Sequence, residues 1–158
     1  MKNSLIFDST KSVHLVRWNQ STDCCTWRNV DCDMAGHVIR LDLSEESIYD
    51  IDNSTGLFAL QHHVSDHVTG LNLSYESISG GIENSTGLFG LRYLRSLNLA
   101  FNGFSPIEIP SRLTNLTDLT YLNLSKAGFV GQIPIAISRM TRLVTLDLST
   151  LSSQELLC

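Results

Sequence analysis

One short pattern recurs five times in this chain, and it restricts the possible folds more than any other feature. An apolar residue is followed by leucine at the third position after it and by a second leucine two residues later, as in L-x-x-L-x-L. The five copies occupy residues 38–43, 68–73, 94–99, 119–124 and 143–148. Their middle leucines are 30, 26, 25 and 24 residues apart, at Leu41, Leu71, Leu97, Leu122 and Leu146. Such self-similarity indicates a stack of one small repeated unit.

The pattern and its period are typical of leucine-rich repeats. In each L-x-L segment the two leucines face one side of a strand and the residue between them faces the other, because side chains alternate along a strand. The leucines of one unit can be buried only by its neighbours. We therefore predict an α/β repeat fold: a short leucine-rich repeat solenoid with a parallel sheet on its concave face and an N-terminal cap. Residues 1–36 are predicted to form the cap, residues 37–148 about five repeats and residues 149–158 a truncated tail.

The residues between the paired leucines are predicted to form an exposed row on the concave face, called the concave row below. They are polar in every copy: Asp42, Asn72, Asn98, Asn123 and Asp147. Short amides and hydroxyls suit hydrogen bonding to a protein, peptide or glycan ligand. Of the large side chains that can anchor an interface, the concave face offers Tyr121 and Arg40. We predict that ligand contact centres on Tyr121 with Asn98, Asn123 and Thr145; the alternative is that the row only reflects the repeat consensus.

Charge and motifs exclude several classes of function. The formal net charge is −5 and the charges are dispersed, so we expect no binding of nucleic acid or anionic lipid. No motif pairs a nucleophile with a base or cradles a phosphate, and we predict no enzymatic activity and no cofactor. His62, His63 and His67 could in principle bind a transition metal. However, His67 has the same place in its repeat as His37, which favours a structural position in the coil.

The ends of the chain carry few targeting signals. The apolar run of Leu5, Ile6 and Phe7 is interrupted by Asp8, which is too short for the core of a secretory signal. No segment approaches the roughly 18 apolar residues of a membrane-spanning helix. We expect no export signal and no membrane span in the chain as given. Because the residues after Leu148 add no further repeat, we also expect the last strand edge and the end of the leucine core to be exposed.

The segment around the first repeat resembles a known family. It contains Trp18, then Asp23-Cys24-Cys25-Thr26-Trp27-Arg28-Asn29-Val30-Asp31-Cys32, then Gly36-His37-Val38-Ile39. This arrangement resembles the N-terminal cap and first coil of plant extracellular leucine-rich repeat receptors. Residues 119–134 resemble the plant-type repeat, in which isoleucine and proline mark a second short strand. At closer range, residues 4–8, 82–89 and 127–134 resemble receptor-like proteins associated with Verticillium wilt resistance.

The resemblance carries an expected function. Receptors of this family have an ectodomain of many repeats, one membrane span and a short cytoplasmic tail, and they signal through partner kinases after perceiving a microbial ligand. The resemblance therefore implies ligand recognition in defence signalling at the extracellular face of the plasma membrane, with a receptor kinase as co-receptor. Two alternatives stay open: a secreted inhibitor of fungal pectin-degrading enzymes, which shares the cap and repeat, and a truncated product without a role of its own.

The resemblance also implies covalent features. In the family Cys25 would pair with Cys32, and Cys24 with a cysteine that lies upstream; Cys158 has no assigned partner. A zinc site on Cys24, Cys25 and Cys32 is the alternative, but these residues lack a paired C-x-x-C spacing. If the chain is exported, six Asn-x-Ser/Thr sequons are candidate glycosylation sites: Asn19, Asn53, Asn72, Asn84, Asn115 and Asn123.

Two features depart from the family pattern. Asn29 occupies a position where the family usually has glycine. The family's buried asparagine, three residues after the second leucine of each motif, is present only as Asn102, and the other repeats have Glu46, Glu76, Ala127 and Leu151 there. We predict that those coils satisfy their loop backbone with other groups.

Overall fold

The computed structural model describes residues 8–19, 21–48, 67–78, 82–83, 85–104 and 106–150, and one six-stranded sheet organises them. Its strands follow the order of the chain: β1 (Val30–Cys32), β2 (Val38–Asp42), β3 (Gly70–Asn72), β4 (Ser96–Asn98), β5 (Tyr121–Asn123) and β6 (Thr145–Asp147). Strands β2 to β6 pair in parallel, with the middle leucine of each repeat opposite the next. This confirms the predicted solenoid with a parallel concave sheet.

The sheet begins with a strand that the repeat pattern did not predict. Strand β1 comes from the cap and pairs antiparallel with β2. Asn29 leads into β1 with φ of 67°, a left-handed conformation that asparagine adopts more readily than most residues. After β1, Asp33 Oδ1 accepts hydrogen bonds from the backbone N–H of Ala35 and of His37, which shapes the turn into β2. The cap thus adds one antiparallel strand to the predicted parallel sheet, because a tight turn joins β1 and β2.

The core lies between the sheet and the convex side of each coil. Leucines of successive repeats pack on one another, and Leu122 of β5 is fully buried. Leu146 of β6 is 39% exposed, because within the described residues only β5 lies against that strand. The expected exposure at this end of the leucine core is thus observed. Complete burial of a leucine side chain contributes about 1.5–3 kcal/mol to the free energy of unfolding, relative to an exposed leucine.

In the described residues the convex side carries short helical turns. They are α1 (Thr86–Phe89) and two 3-10 helices, Ser111–Asn115 and Ile135–Arg139. Pro110 and Pro134 precede the two 3-10 helices, where the chain needs no backbone N–H donor. The second short strand expected of plant-type repeats is a single parallel bridge between Glu108 and Val130.

The cap closes the core at the N-terminal end. Trp18 is 3% exposed and stacks on Trp27, with ring centroids 4.9 Å apart. Leu15, in a 3-10 turn of the cap, is buried in the same cluster as the leucines of the repeats. A disulfide between Cys25 and Cys32 fixes the cap loop, with Cα atoms 5.6 Å apart. The predicted disulfide is confirmed.

The third coil is joined to the second by the consensus asparagine. Asn102 Nδ2 donates hydrogen bonds to the carbonyl oxygens of Leu73, at 2.8 Å, and Leu99, at 2.9 Å. Its Oδ1 accepts from the backbone N–H of Ile78 at 3.3 Å. One neutral side chain therefore satisfies both donors and acceptors of the buried loop.

The first two coils use carboxylates at the equivalent position. Glu76 is 4% exposed and accepts hydrogen bonds from the backbone N–H of Glu46 and of Ile48. Glu46, with no exposed surface, accepts from the hydroxyl of Ser12 and from the backbone N–H of His14, so that it ties the cap to the first coil. These contacts confirm that other groups satisfy the loop backbone where the asparagine is missing.

The fourth coil uses its backbone instead of a side chain. Ala127 has no polar side chain, and its carbonyl oxygen accepts a hydrogen bond of 2.9 Å from the N–H of Phe104. The rings of Phe104 and Phe129 stack beneath this contact with centroids 4.9 Å apart. Leu151, which holds the next equivalent position, lies outside the described residues.

Candidate ligand-binding surface

The concave row is formed as a set of adjacent polar side chains. The register places Asp42 opposite Asn72, Asn72 opposite Asn98, Asn98 opposite Asn123 and Asn123 opposite Asp147. All five are half-buried. Neighbouring strands are about 4.8 Å apart, so a bound chain could contact several members of the row at once.

Each member of the row also has a structural task. Its Oδ1 accepts a hydrogen bond from the backbone N–H two residues further on, at distances between 2.9 and 3.1 Å. This local bond turns the chain out of the strand, as Asp and Asn side chains commonly do. At Asp147 the N–H and hydroxyl of Ser149 stabilise the carboxylate and hold its pKa below the usual value. Oδ1 of each member thus serves its own turn, and among the described residues the Nδ2 groups of Asn72 and Asn98 have no hydrogen-bond acceptor, whereas that of Asn123 has one.

The predicted centre of the surface comes together in space. Tyr121 lies opposite Thr145, and Asn98 lies opposite Asn123. Asn123 Nδ2 donates a hydrogen bond of 3.3 Å to the Tyr121 hydroxyl oxygen. This contact orients the phenol over the row, so Tyr121 offers a positioned aromatic side chain and a hydroxyl proton to a ligand.

A depression lies on the same face, toward the N-terminal end, and we call it the concave depression. Its volume is about 210 Å³, and its polar and glycine lining consists of Arg40, Asp42, Gly70, Asn72, Ser96, Asn98 and Tyr121. The Arg40 side chain extends over Gly70, where an added Cβ would lie 3.1 Å from both its Cγ and its Nε. The depression exists because two small residues, Gly70 and Ser96, separate Arg40 from Tyr121. The sequence analysis named Arg40 and Tyr121 as possible anchors but did not predict a recess between them.

The rim of the sheet carries aromatic side chains that the sequence analysis missed. Tyr75 and Phe101 stack with ring centroids 4.1 Å apart, and Lys126 Nζ lies 4.8 Å from the Phe101 centroid. With Glu45 they hold the same position in successive repeats, and all four have φ between 54° and 64°. The signal that could have revealed them is this shared position, one residue before the place of the consensus asparagine.

The cysteines and histidines considered as metal ligands have structural contacts instead. The sulfur atoms of Cys24, Cys25 and Cys32 lie within 4.8 Å of one another, but two of them form the disulfide and cannot act as thiolate ligands. His37 and His67 stack with ring centroids 3.9 Å apart, which confirms their equivalent places in successive coils. His62 and His63 lie outside the described residues.

The sequons fall into two environments. Asn19 and Asn115 are exposed away from the concave row, whereas Asn72 and Asn123 are half-buried members of it. Asn53 and Asn84 lie outside the described residues. A glycan on Asn72 or Asn123 would cover the concave depression or the Tyr121 region.

In the part of the chain that the structure describes, no helix has the length and apolar character needed to cross a bilayer.

Comparison with known proteins agrees with the geometry. Residues 1–33 match the family described as leucine rich repeat N-terminal domain. Receptor-like protein 6 of Arabidopsis thaliana is 31% identical over 148 residues, which are 94% of this chain and 12% of that protein. The chain thus spans only a small part of the length of this relative.

Solved structures show the same fold. A chain of the BIR3–SERK2 complex from Arabidopsis thaliana gives a TM-score of 0.73 at 29% identity, covering 94% of this chain and 76% of that one. A chain of the Arabidopsis receptor kinase HAESA in complex with the peptide hormone IDA and the co-receptor SERK1 gives a TM-score of 0.51 at 25% identity. The match covers 94% of this chain and 36% of that chain.

The cap, the repeat and the sheet define a plant-type leucine-rich repeat protein. Within that class, the chain is similar over most of its length to leucine-rich repeat receptor-like proteins of plants.

Proposed function

We propose that this segment contributes to ligand recognition by a plant cell-surface receptor-like protein that acts in defence through partner kinases and has no catalytic activity of its own. The observation that carries the proposal is the concave row, whose five side chains lie in register beside the anchors Arg40 and Tyr121. A regular exposed surface of this kind suits an extended ligand better than it suits catalysis on a small substrate.

Relatives support the same conclusion. One matched structure is of a receptor kinase in complex with a peptide hormone and a co-receptor. The Cys25–Cys32 disulfide suits an oxidising compartment such as the cell exterior. We therefore place the segment at the extracellular face of the plasma membrane, where the ligand is a protein, peptide or glycan of microbial origin.

The test is to change one anchor in the intact receptor-like protein and to measure the cellular response. Tyr121→Ala should reduce the reactive-oxygen burst induced by a Verticillium culture filtrate by about tenfold, because interface aromatics carry much of the binding energy. Tyr93→Ala is the matched control, since Tyr93 is 53% exposed and lies in the turn before β4, not in a strand of the sheet. Surface biotinylation confirms equal abundance. An unchanged burst in the Tyr121 variant would contradict recognition through this part of the concave face.

A further inference from the structure

We infer that the concave depression between Arg40 and Tyr121 binds a carboxylate group of the ligand. The inference rests on the proposed function, since it names the chemistry that the same face recognises. Both sources of a carboxylate in a peptide, an acidic side chain and a free C-terminus, share this chemistry, and the experiment below separates them.

The size of the depression fits such a group. Its volume is about 210 Å³, which is the volume that several water molecules occupy in the liquid at about 30 Å³ each. A carboxylate with one or two methylene groups fits this space. Gly70 and Ser96 form the middle of the recess because they carry the smallest side chains in their row on the sheet.

The asparagines of the depression offer donors and not acceptors. Asn72 Oδ1 accepts from the backbone N–H of Ser74, and Asn98 Oδ1 accepts from that of Ala100, both at 3.1 Å. A backbone N–H can only donate, so these two bonds determine which end of each amide is oxygen. The remaining end of each side chain is therefore an NH₂ group, and among the described residues neither NH₂ has an acceptor.

Tyr121 adds a third donor. Its hydroxyl oxygen accepts the bond from Asn123 Nδ2, which leaves the hydroxyl proton free to donate. The Ser96 hydroxyl, between the two anchors, can donate as well. A ligand that carries only acceptors, as an ionised carboxylate does, can use all of these groups.

The charge of the depression is set by Arg40 and two carboxylates. Arg40 Nη1 lies 3.8 Å from Asp31 Oδ2, and both side chains are more than 60% exposed, so most of the five guanidinium N–H donors stay available. Asp42 also lines the depression, but its Oδ1 accepts from both the N–H and the hydroxyl of Ser44. An anion is therefore best placed on the side of Ser96 and Tyr121, away from Asp42 and within reach of the guanidinium that extends over Gly70.

The experiment is a titration of the isotope-labelled chain, followed by the NMR signals of the Asn72 and Asn98 side-chain amides. Three probes are used: N-acetyl-glutamate α-amide, with only a side-chain carboxylate; N-acetyl-glutamine, with only a terminal carboxylate; and N-acetyl-glutamine amide, with neither. We expect one or both carboxylate probes to shift the two amide signals in a saturable manner and the neutral probe to have no effect. A response to one carboxylate probe alone identifies the source that the ligand uses.

Two variants and one control test the assignment. Arg40→Gln removes the positive charge and should weaken binding of the carboxylate probes by about tenfold. Gly70→Ala should weaken it by about threefold or more, because the new Cβ displaces the Arg40 side chain. Arg139→Gln, on the convex 3-10 helix, should leave binding unchanged. Equal shifts with the neutral probe, or an unchanged affinity in Arg40→Gln, would overturn the inference.

The two proposals fail in different ways. If the neutral probe binds as well as the carboxylate probes while Tyr121→Ala still abolishes the cellular response, the carboxylate inference is wrong and recognition through the concave face stands. If carboxylate binding is confirmed but the cellular response is unaffected by Tyr121→Ala, the depression binds anions without serving the proposed function.

Discussion

The first two coils and the third coil satisfy the hydrogen bonds of their buried loop backbone with different side chains. Glu46 and Glu76 satisfy buried backbone N–H groups with carboxylates, whereas Asn102 does so with a neutral amide that also donates to carbonyl oxygens. A carboxylate accepts from several donors at once but carries a charge that is costly to bury. Stability at the N-terminal end should therefore depend on protonation and on the cap, and stability of the third coil should not.

The largest expected effect is loss of the contact between the cap and the first coil. Glu46→Ala leaves the backbone N–H groups of His14 and Leu15 and the Ser12 hydroxyl without their acceptor. At about 1–3 kcal/mol for each unsatisfied buried group, the free energy of unfolding should fall by about 4 kcal/mol in a urea titration. Glu45→Ala, at the exposed neighbouring position, should change it by less than about 0.5 kcal/mol. Equal effects of the two changes would show that Glu46 does not hold the cap.

The next largest effect is a pH dependence of the free energy of unfolding that is specific to Glu76. Burial raises its pKa to about 7, against the opposing effect of the N–H groups of Ile48 and Glu46, and the carboxylates of Glu46 and Glu45 add to the increase. The folded state holds the Glu76 proton more tightly than the unfolded state does. The contribution of protonated Glu76 to the free energy of unfolding is therefore fully present below about pH 4.5 and is lost as the pH rises through about 7. The difference in pKa corresponds to about 3 kcal/mol.

The measurement is a comparison of unfolding free energies between pH 4.5 and 8. The wild-type chain should lose stability over this range relative to Glu76→Gln, whose neutral amide does not titrate. Asn102→Ala should lower stability by about 3 kcal/mol at every pH and keep the wild-type slope. Parallel pH profiles for the wild type and Glu76→Gln would refute the prediction.

The disulfide has a smaller expected effect. Replacing Cys25 and Cys32 together by serine should lower the free energy of unfolding by about 2.4 kcal/mol, which is the loop-closure value for a seven-residue separation. Cys24 is a free thiol, and Cys24→Ser should change stability by less than about 0.5 kcal/mol. The comparison with Glu46→Ala then shows whether the cap depends more on its covalent link or on the buried carboxylate. Equal unfolding midpoints for the double serine variant and Cys24→Ser would contradict the assigned role of the disulfide.

The smallest effect concerns the turn before β1. Asn29 has φ of 67°, a conformation that glycine adopts without a steric cost and asparagine at a small one. Asn29→Gly should therefore change stability by no more than about 0.5 kcal/mol, whereas Asn29→Val should lower it by about 1–2 kcal/mol, because a β-branched residue resists left-handed backbone. Thermal unfolding of the two variants distinguishes them, and equal midpoints would contradict the conformational explanation.

Sequence reasoning performed differently in the repeats and in the cap. The L-x-x-L-x-L spacing predicted the parallel strands and their register, because each leucine must be covered by the equivalent leucine of the next coil. It missed β1, since Val30, Asp31 and Cys32 are too few to show alternation and their pairing depends on the turns on either side. The disulfide followed from the family resemblance of the cap and not from the spacing alone.

The candidate site was predicted only in part. The concave row and the proximity of Tyr121 to Asn98, Asn123 and Thr145 follow from the repeat register, so the sequence was sufficient for them. That Oδ1 of each row member bonds its own backbone could not be known without the bend at the end of each strand. The rim aromatics Tyr75 and Phe101 meet because the backbone is left-handed at both positions, which a repeat pattern does not report.

The sequence by itself determined the solenoid, the inward and outward faces and the members of the concave row, because all of these depend on a period that the residues repeat. Only the tertiary structure decided which polar atoms remain free. The amide ends of Asn72 and Asn98, the path of Arg40 over Gly70 and the buried partners of Glu46 and Glu76 depend on contacts between coils, and the charge and hydrogen bonding of a side chain are set by the neighbours that folding brings to it.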